Sequence, residues 1–334
     1  MTTTPTSPAA PTAERSPRRR PRRHADTERG FSRVFRWVTT SAGVLLLLVL
    51  AAVAVFLVER GWGALVASPA DLHANGGLPK QYGNLLAFIG PLVFGTVLAA
   101  ALALLLATPV AVGIALFVSH YAPRRIAGLV GFVIDLLAAI PSVVFGLWGT
   151  LTLSPVIAKL WAWIADVLSA ILPGTVNATP TGRSLATTSL VLAIMILPII
   201  TAVSREVFKQ TPRLHEEAAL ALGATRWEVV RTAVLPFGRS GVISAAMLGL
   251  GRALGETMAV LMILSPGLGY SFQIFDAGKH QTIAANIAAN FPESAGLEVN
   301  TLIATGLALF VITLVVNMAA RAIVARRKEF SGAN

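Results

Sequence analysis

The sequence predicts an all-α integral membrane protein with six transmembrane helices and both termini cytoplasmic. Three observations lead there: a scarcity of charge, six long apolar stretches, and a lopsided distribution of basic residues. The 334-residue chain is 55% hydrophobic and only 13% charged, about half the charged share of a soluble domain. That is too little charge to cover a soluble surface of this size. There are no cysteines, which excludes a disulfide scaffold, a thiolate metal site and a cysteine nucleophile. The histidines (His24, His73, His120, His215 and His280) lack the paired spacing of a metal site.

The first 36 residues form an arm with nine arginines against Glu14, Asp26 and Glu28. It is rich in Pro, Thr and Ser and has no apolar periodicity, so disorder is expected over 1–36. Val38 to Val58 then runs 21 residues without a charge, about 31 Å as a helix, enough for a hydrocarbon core of about 30 Å. It is expected to be a retained signal-anchor, with an outer loop closing the segment 37–83. The main transmembrane domain is expected over 84–320, with a tail over 321–334. Its crossings are Asn84 to Val118, Ile126 to Thr150, Ser184 to Ser204, Gly241 to Leu264 and Val299 to Ala320. The second crossing contains Pro91 and Pro109, and is either one bent helix or two shorter pieces. One crossing is favoured, because a reversal near Ala107 would leave buried backbone groups unpaired. The connection Ser154 to Arg183 is expected outside, with Trp161 and Trp163 as interface anchors.

Placing the arm inside puts 21 basic side chains on the inner segments and only five outside: Arg60, Lys80, Lys159, Arg183 and Lys279. That bias sets the orientation. The net charge of +11 is therefore mostly a topology signal. The arm alone would suit a nucleic acid, but it lacks interleaved aromatics before Phe31, and anionic lipid headgroups fit it better.

The inner segment 205–240 holds the most informative pattern. Thr211-Pro212 suits an N-cap with Pro at the first helical position. Leu214, Ala218, Ala221 and Leu222 then recur at helical spacing, and Gly223 stops the helix. Thr225-Arg226-Trp227-Glu228 is a capping-box pattern opening a second short helix that is expected to end near Leu235-Pro236. Glu217-Ala218-Ala219, Gly223 and the later Leu235-Pro236 resemble the coupling (EAA) loop of type I ABC importer permeases, with Ala233 where that family usually carries a larger aliphatic residue. Ala138 to Gly149 and Gly249 to Val260 resemble the third and fifth crossings of its phosphate permeases, and the similarity runs from about Gly83 to Arg327.

The resemblance implies a type I ABC importer permease fold and phosphate import by alternating access. Glu217, Ala218, Ala219, Gly223, Leu235 and Pro236 would form the loop that couples to the ATPase. It implies a second permease (PstA-like), two ATPases (PstB-like) and an external phosphate-binding protein (PstS-like). The chain itself carries no Walker A sequence, so no cofactor is expected on it; ATP and Mg belong to the partner ATPase. Another oxyanion such as sulfate or molybdate, or an ATPase-independent secondary transporter, are the alternatives.

Ionisable residues inside a membrane cost about 2.5–3.5 kcal/mol on the insertion scale, and normally face a partner or a polar pathway. Arg252 is expected near the midplane, with Glu256 four residues on along the same helix face. The two would form either a self-neutralising structural pair or an anion pathway in which Glu256 holds the guanidinium that meets phosphate. Asp135 is expected within the third crossing, to pair with Arg252, to bond hydroxyls or to relay protons. Ser142 and Thr257 are further candidates for the pathway lining. Gly251 and Gly255 form a small-residue face for helix packing.

Overall fold

The computed structural model describes residues 24–171 and 176–328. The first 23 residues of the expected arm and the last six of the tail lie outside them. Two units are distinguished, 1–53 and 54–334. In the first, the described residues from His24 are helical, so the expected disordered arm is already helix from that point. A long apolar helix, once nucleated, propagates into flanking residues at one hydrogen bond per residue. Side chains from Val34 to Val53 are all exposed, as an apolar anchor facing lipid requires.

The helices follow in chain order. Helix α1 spans His24–Val66 and α2 Pro69–Ala74. Helix α3 (Leu85–Leu116) starts on the Asn84 side chain, which accepts from the Ala87 amide, and continues through a π-helical turn at Phe117–Tyr121. It passes both prolines without a reversal, as expected. Helix α4 covers Arg124–Ala138 and α5 Ser142–Trp148. A second π turn at Gly149–Leu153 joins α5 to α6 (Ser154–Ile171). Helix α7 is Leu185–Lys209, α8 is Arg213–Ala221 and α9 is Arg226–Val229. A third π turn at Val230–Val234 leads into α10 (Leu235–Leu254). Then come α11 (Met258–Ile263), α12 (Ile283–Asn290) and α13 (Leu297–Lys328).

Among the described residues, six helical stretches are long and apolar enough to cross a membrane, matching the expected number. The third is displaced. It runs over Ser142–Ile171 and not from Ile126 to Thr150, so the expected outer loop after Ser154 is helix and Lys159 lies within a span. Pro141 explains the shift: it has no N–H and disfavours helical geometry at Ile140, which splits the expected crossing into α4 and α5. At 15 residues, α4 is about 22 Å long and too short to span. Trp161 is not an interface anchor; its indole N–H donates to Thr187 Oγ1 at 2.8 Å and its ring lies 5.0 Å from that of Phe275.

The main core sits between α3, α7, α10 and α11. Ala99, Ala103, Ala107 and Ala111 recur every four residues and are essentially buried. Such a strip of methyl groups lets α3 lie close along α7, whose Leu192, Ile196 and Ile200 fill the space between. A second core gathers Ala64, Leu72, Phe88, Leu92, Ile283 and Ala304 around the end of α1 and the start of α3.

Candidate functional site

The α8 loop is built by local rules. Gly223 adopts φ +84°, where a side chain is strained. Its amide bonds to Leu220 O and the next amide, of Ala224, to Ala219 O. These two bonds form a Schellman end that closes α8. Thr225 and Glu228 then make the expected capping box: the Thr225 hydroxyl accepts from the Glu228 amide and the Glu228 carboxylate accepts from the Thr225 amide at 2.7 Å. Two details differ from expectation. The cap position before α8 is Pro212, and the Thr211 hydroxyl is buried without a hydrogen-bond partner. The second helix does not end at Leu235-Pro236 either; the π turn shifts the hydrogen-bond register, Pro236 falls in the first turn of α10, and the helix runs on to Leu254.

Helix α8 buries none of its residues. Glu217, Ala218 and Gly223 are exposed, Ala219 is half-buried, and Leu214 and Leu222 stand 75% and 89% exposed. Below the loop, Phe208, Val230 and Val234 are fully buried with Ala115 and Leu116, so the base is packed while α8 stands clear. Leu235 is half-buried there and Pro236 exposed.

The second region is a break inside the expected fifth crossing, Gly241 to Leu264; the continuous membrane-length span runs over Arg226–Leu254 and ends at this break. Helix α10 stops at Leu254 and α11 restarts at Met258. Arg252 and Glu256 therefore do not share a helix face. Neither ion pair among the described residues involves Arg252, so the expected pairing with Glu256 or Asp135 is not formed. Glu256 is buried (9% exposed) and accepts from the Ala259 amide at 3.2 Å, satisfying the start of α11. At the other end of α11, Arg183 donates to Met262 O at 3.1 Å and Ile263 O at 3.3 Å. A six-residue helix thus has a carboxylate at its N-terminus and a guanidinium at its C-terminus, each matched to the helix dipole. Sequence reasoning missed Arg183; its only signal was a charge beside the start of the fourth crossing.

Helix α5 packs on α11 through Gly146, where a Cβ would lie 3.0 Å from the Ala259 Cα. Gly149 similarly faces the Ile263 side chain. The first turn of α5, with half-buried Ser142, is therefore at the same end of the pair as the break, with Thr257. Arg252 is exposed in the last turn of α10. Irregular backbone at membrane depth persists only where protein buries it or where it lines a cavity, and broken helices mark binding sites in transporters. Asp135 is exposed on α4, away from the core. Gly251 and Gly255 are exposed and meet no packing partner from another helix among the described residues. The tight α7–α10 contacts fall instead at Gly238, Gly241 and Gly249, against Phe208, Val207 and Ile200.

Residues 107–329, which include both regions, match the family of binding-protein-dependent transport system inner membrane components. The chain belongs to this family. Among its relatives, the phosphate transport system permease protein PstC 2 of Mycobacterium tuberculosis is 46% identical over 297 residues, covering 87% of this chain and 91% of the relative. PstC of Mycobacterium leprae is 47% identical over 81% of this chain and 86% of its own length. PstC of Pasteurella multocida is 38% identical over 90% and 93%. The fold of these inner membrane components is also that of solved importers. A bacterial ABC transporter involved in import of the acidic polysaccharide alginate aligns with TM-score 0.58 at 16% identity, over 89% of this chain and 99% of its own. The inward-facing MetNI methionine transporter gives 0.54 at 12%, over 75% and 99%. As a member of this family the chain is a multi-pass inner-membrane permease subunit of an ABC importer.

Proposed function

We infer that this subunit moves inorganic phosphate into the cytoplasm by alternating access, driven by a separate ATPase. The observation that carries the coupling half is α8: an exposed helix, closed by Gly223, that presents Glu217, Ala218 and uncovered leucines while its base is firmly packed. The basic bias of the inner segments supports placing this loop and both termini in the cytoplasm. Its partners are two ATPases under the loops, a second permease that completes the pathway, and an external phosphate-binding protein. ATP and Mg stay on the ATPase subunits, and this chain contributes no catalytic group.

The names of the relatives favour phosphate as the substrate, and Arg252 is the residue suited to meet it. Its guanidinium has no carboxylate partner among the described residues and sits beside an intramembrane break. Its planar fork matches a tetrahedral oxyanion better than a lysine point charge. Glu256 shapes the break by capping α11, and Thr257 and Ser142 border it. Asp135 stands outside this group. Gly251 and Gly255 leave an open surface on α10 for the second permease. Arg252→Lys is expected to abolish uptake of labelled phosphate while the four-subunit transporter still assembles; normal uptake by that variant would overturn the assignment.

A further inference from the structure

Because α8 buries nothing, its attachment to the rest of the chain is a mechanical question. Two covalent connections hold it, at Thr211-Pro212 and at the Gly223 turn. A cleft of about 150 Å³, lined by Tyr121, Leu220, Arg226 and Val229 among others, separates it from the membrane body. Among the described residues one polar contact crosses the rim: His120 Nε2 lies 3.5 Å from Glu216 Oε1, with the two side chains only 15% and 27% exposed. His120 belongs to the π turn that ends the second crossing. Its ring is oriented from behind: the Ser119 hydroxyl donates to Ala115 O at 2.7 Å and meets His120 Nδ1 at 2.7 Å. That leaves Nε2 aimed at the carboxylate. Ala115 is in turn fully buried in the cluster with Phe208, Val230 and Val234.

We propose that the His120–Glu216 contact is a tether through which movement of α8 is passed directly to the inner end of the second crossing. Glu216 precedes Glu217, so the tether starts on the exposed helix itself. It ends on α3, whose alanine strip lies along α7, and so enters the helix pair at the centre of the fold. Without it, a displacement of α8 would be taken up in the cleft and at the Gly223 turn, and ATP would be hydrolysed with less transport. His120 and Glu216 are thus positioning residues. The proposal rests on α8 being the ATPase contact.

The test is phosphate moved per ATP hydrolysed, measured in vesicles with the complete transporter and its external binding protein. His120→Glu and Glu216→Lys should each lower that ratio about two- to fivefold, the range open to one partly exposed ion pair, with the ATPases still bound. The double variant, which restores an opposite pair with the charges exchanged, should recover the ratio. Singles that leave the ratio unchanged, or a double no better than either, would overturn the tether and leave the coupling loop standing. If instead Leu222→Glu, at the residue that ends α8, failed to release the ATPases, the coupling assignment and the tether would both fall. Because the chain has no cysteine, His120→Cys with Glu216→Cys allows a second check that does not depend on charge. Joined by a short cleavable thiol linker, the pair should transport at near the native ratio, and cleavage should lower it. A joined form that stalls would show that this contact must open in the cycle, contrary to the proposal.

Discussion

Two of the helices that start on a side chain accepting from the amide three residues on do so in opposite surroundings. In the α8 loop, Thr225 accepts from the amide three residues on, at Glu228, to start α9. Inside the expected fifth crossing, Glu256 accepts from the amide three residues on, at Ala259, to start α11. The first is exposed, in a polar loop, and reads at once as a capping box. The second is buried among apolar residues, where Arg252 and Glu256 invite reading as an i,i+4 pair on an unbroken helix. The chemistry is one; the surroundings decide its weight. Water can replace a lost cap at Glu228, whereas Ala259 is buried out of its reach.

That contrast sets an order of effects. Glu256→Ala should be the most damaging, leaving a buried amide unpaired at a cost of about 1–3 kcal/mol, read as a fall in the melting temperature of the purified complex. Glu256→Gln keeps an acceptor oxygen and should retain most of the stability. If the two variants are equally unstable, the carboxylate's charge rather than its cap is what matters there. Gly223→Ala forces a side chain into the left-handed region, at roughly 1–2 kcal/mol. It should distort the Schellman end enough to weaken co-purification of the ATPases; unchanged co-purification would show that the turn relaxes elsewhere. Thr225→Ala should cost about 1 kcal/mol and show as faster hydrogen exchange at the Glu228 amide. No change would mean that α9 is held by its continuity with α10 and not by its cap.

The smallest expected effect is in the segment between the fifth and sixth spans. His280 is 1% exposed, its Nε2 meets Ser271 O at 2.7 Å, and its ring stacks 6.3 Å from that of Phe94. Burial holds its pKa below the ordinary histidine value, the carbonyl of Ser271 and nearby Asp276 opposing that only in part. An imidazole that becomes harder to protonate on folding adds stability that is present above the unfolded pKa of about 6.5 and is lost as pH falls through the lowered folded value. The melting temperature should therefore drop on acidification from about pH 7 to pH 5, and less so in His280→Gln, which has no ring to titrate. An identical drop in both would place the acid sensitivity elsewhere.

Much of the architecture was legible because it is set by rules of short range. Length and apolarity counted six crossings, and Asn84 and Ser184 cap α3 and α7 where the second and fourth were expected to begin. Gly223 and Thr225-Glu228 marked the loop turns correctly. The third crossing was misplaced although Pro141 announced the break; an apolar run on both sides of it masked a helix end. Arg183 was counted only as an outer charge, because its acceptors on Met262 and Ile263 lie about 80 residues away. The glycines were misassigned for the same reason: Gly251 and Gly255 have the right spacing for packing, but Gly238, Gly241 and Gly249 face α7.

By itself, then, the sequence determined the class of the protein, the number of its spans, the bias of its basic side chains and the turns of its exposed loop. Each depends on the helical rise, on hydropathy or on hydrogen bonds between residues three to five apart. Only the tertiary structure decided where the third and fifth crossings break, which glycines let helices touch, that Glu256 serves a backbone amide rather than Arg252, and that His120 meets Glu216. These depend on which distant groups arrive to satisfy a backbone or a charge removed from water.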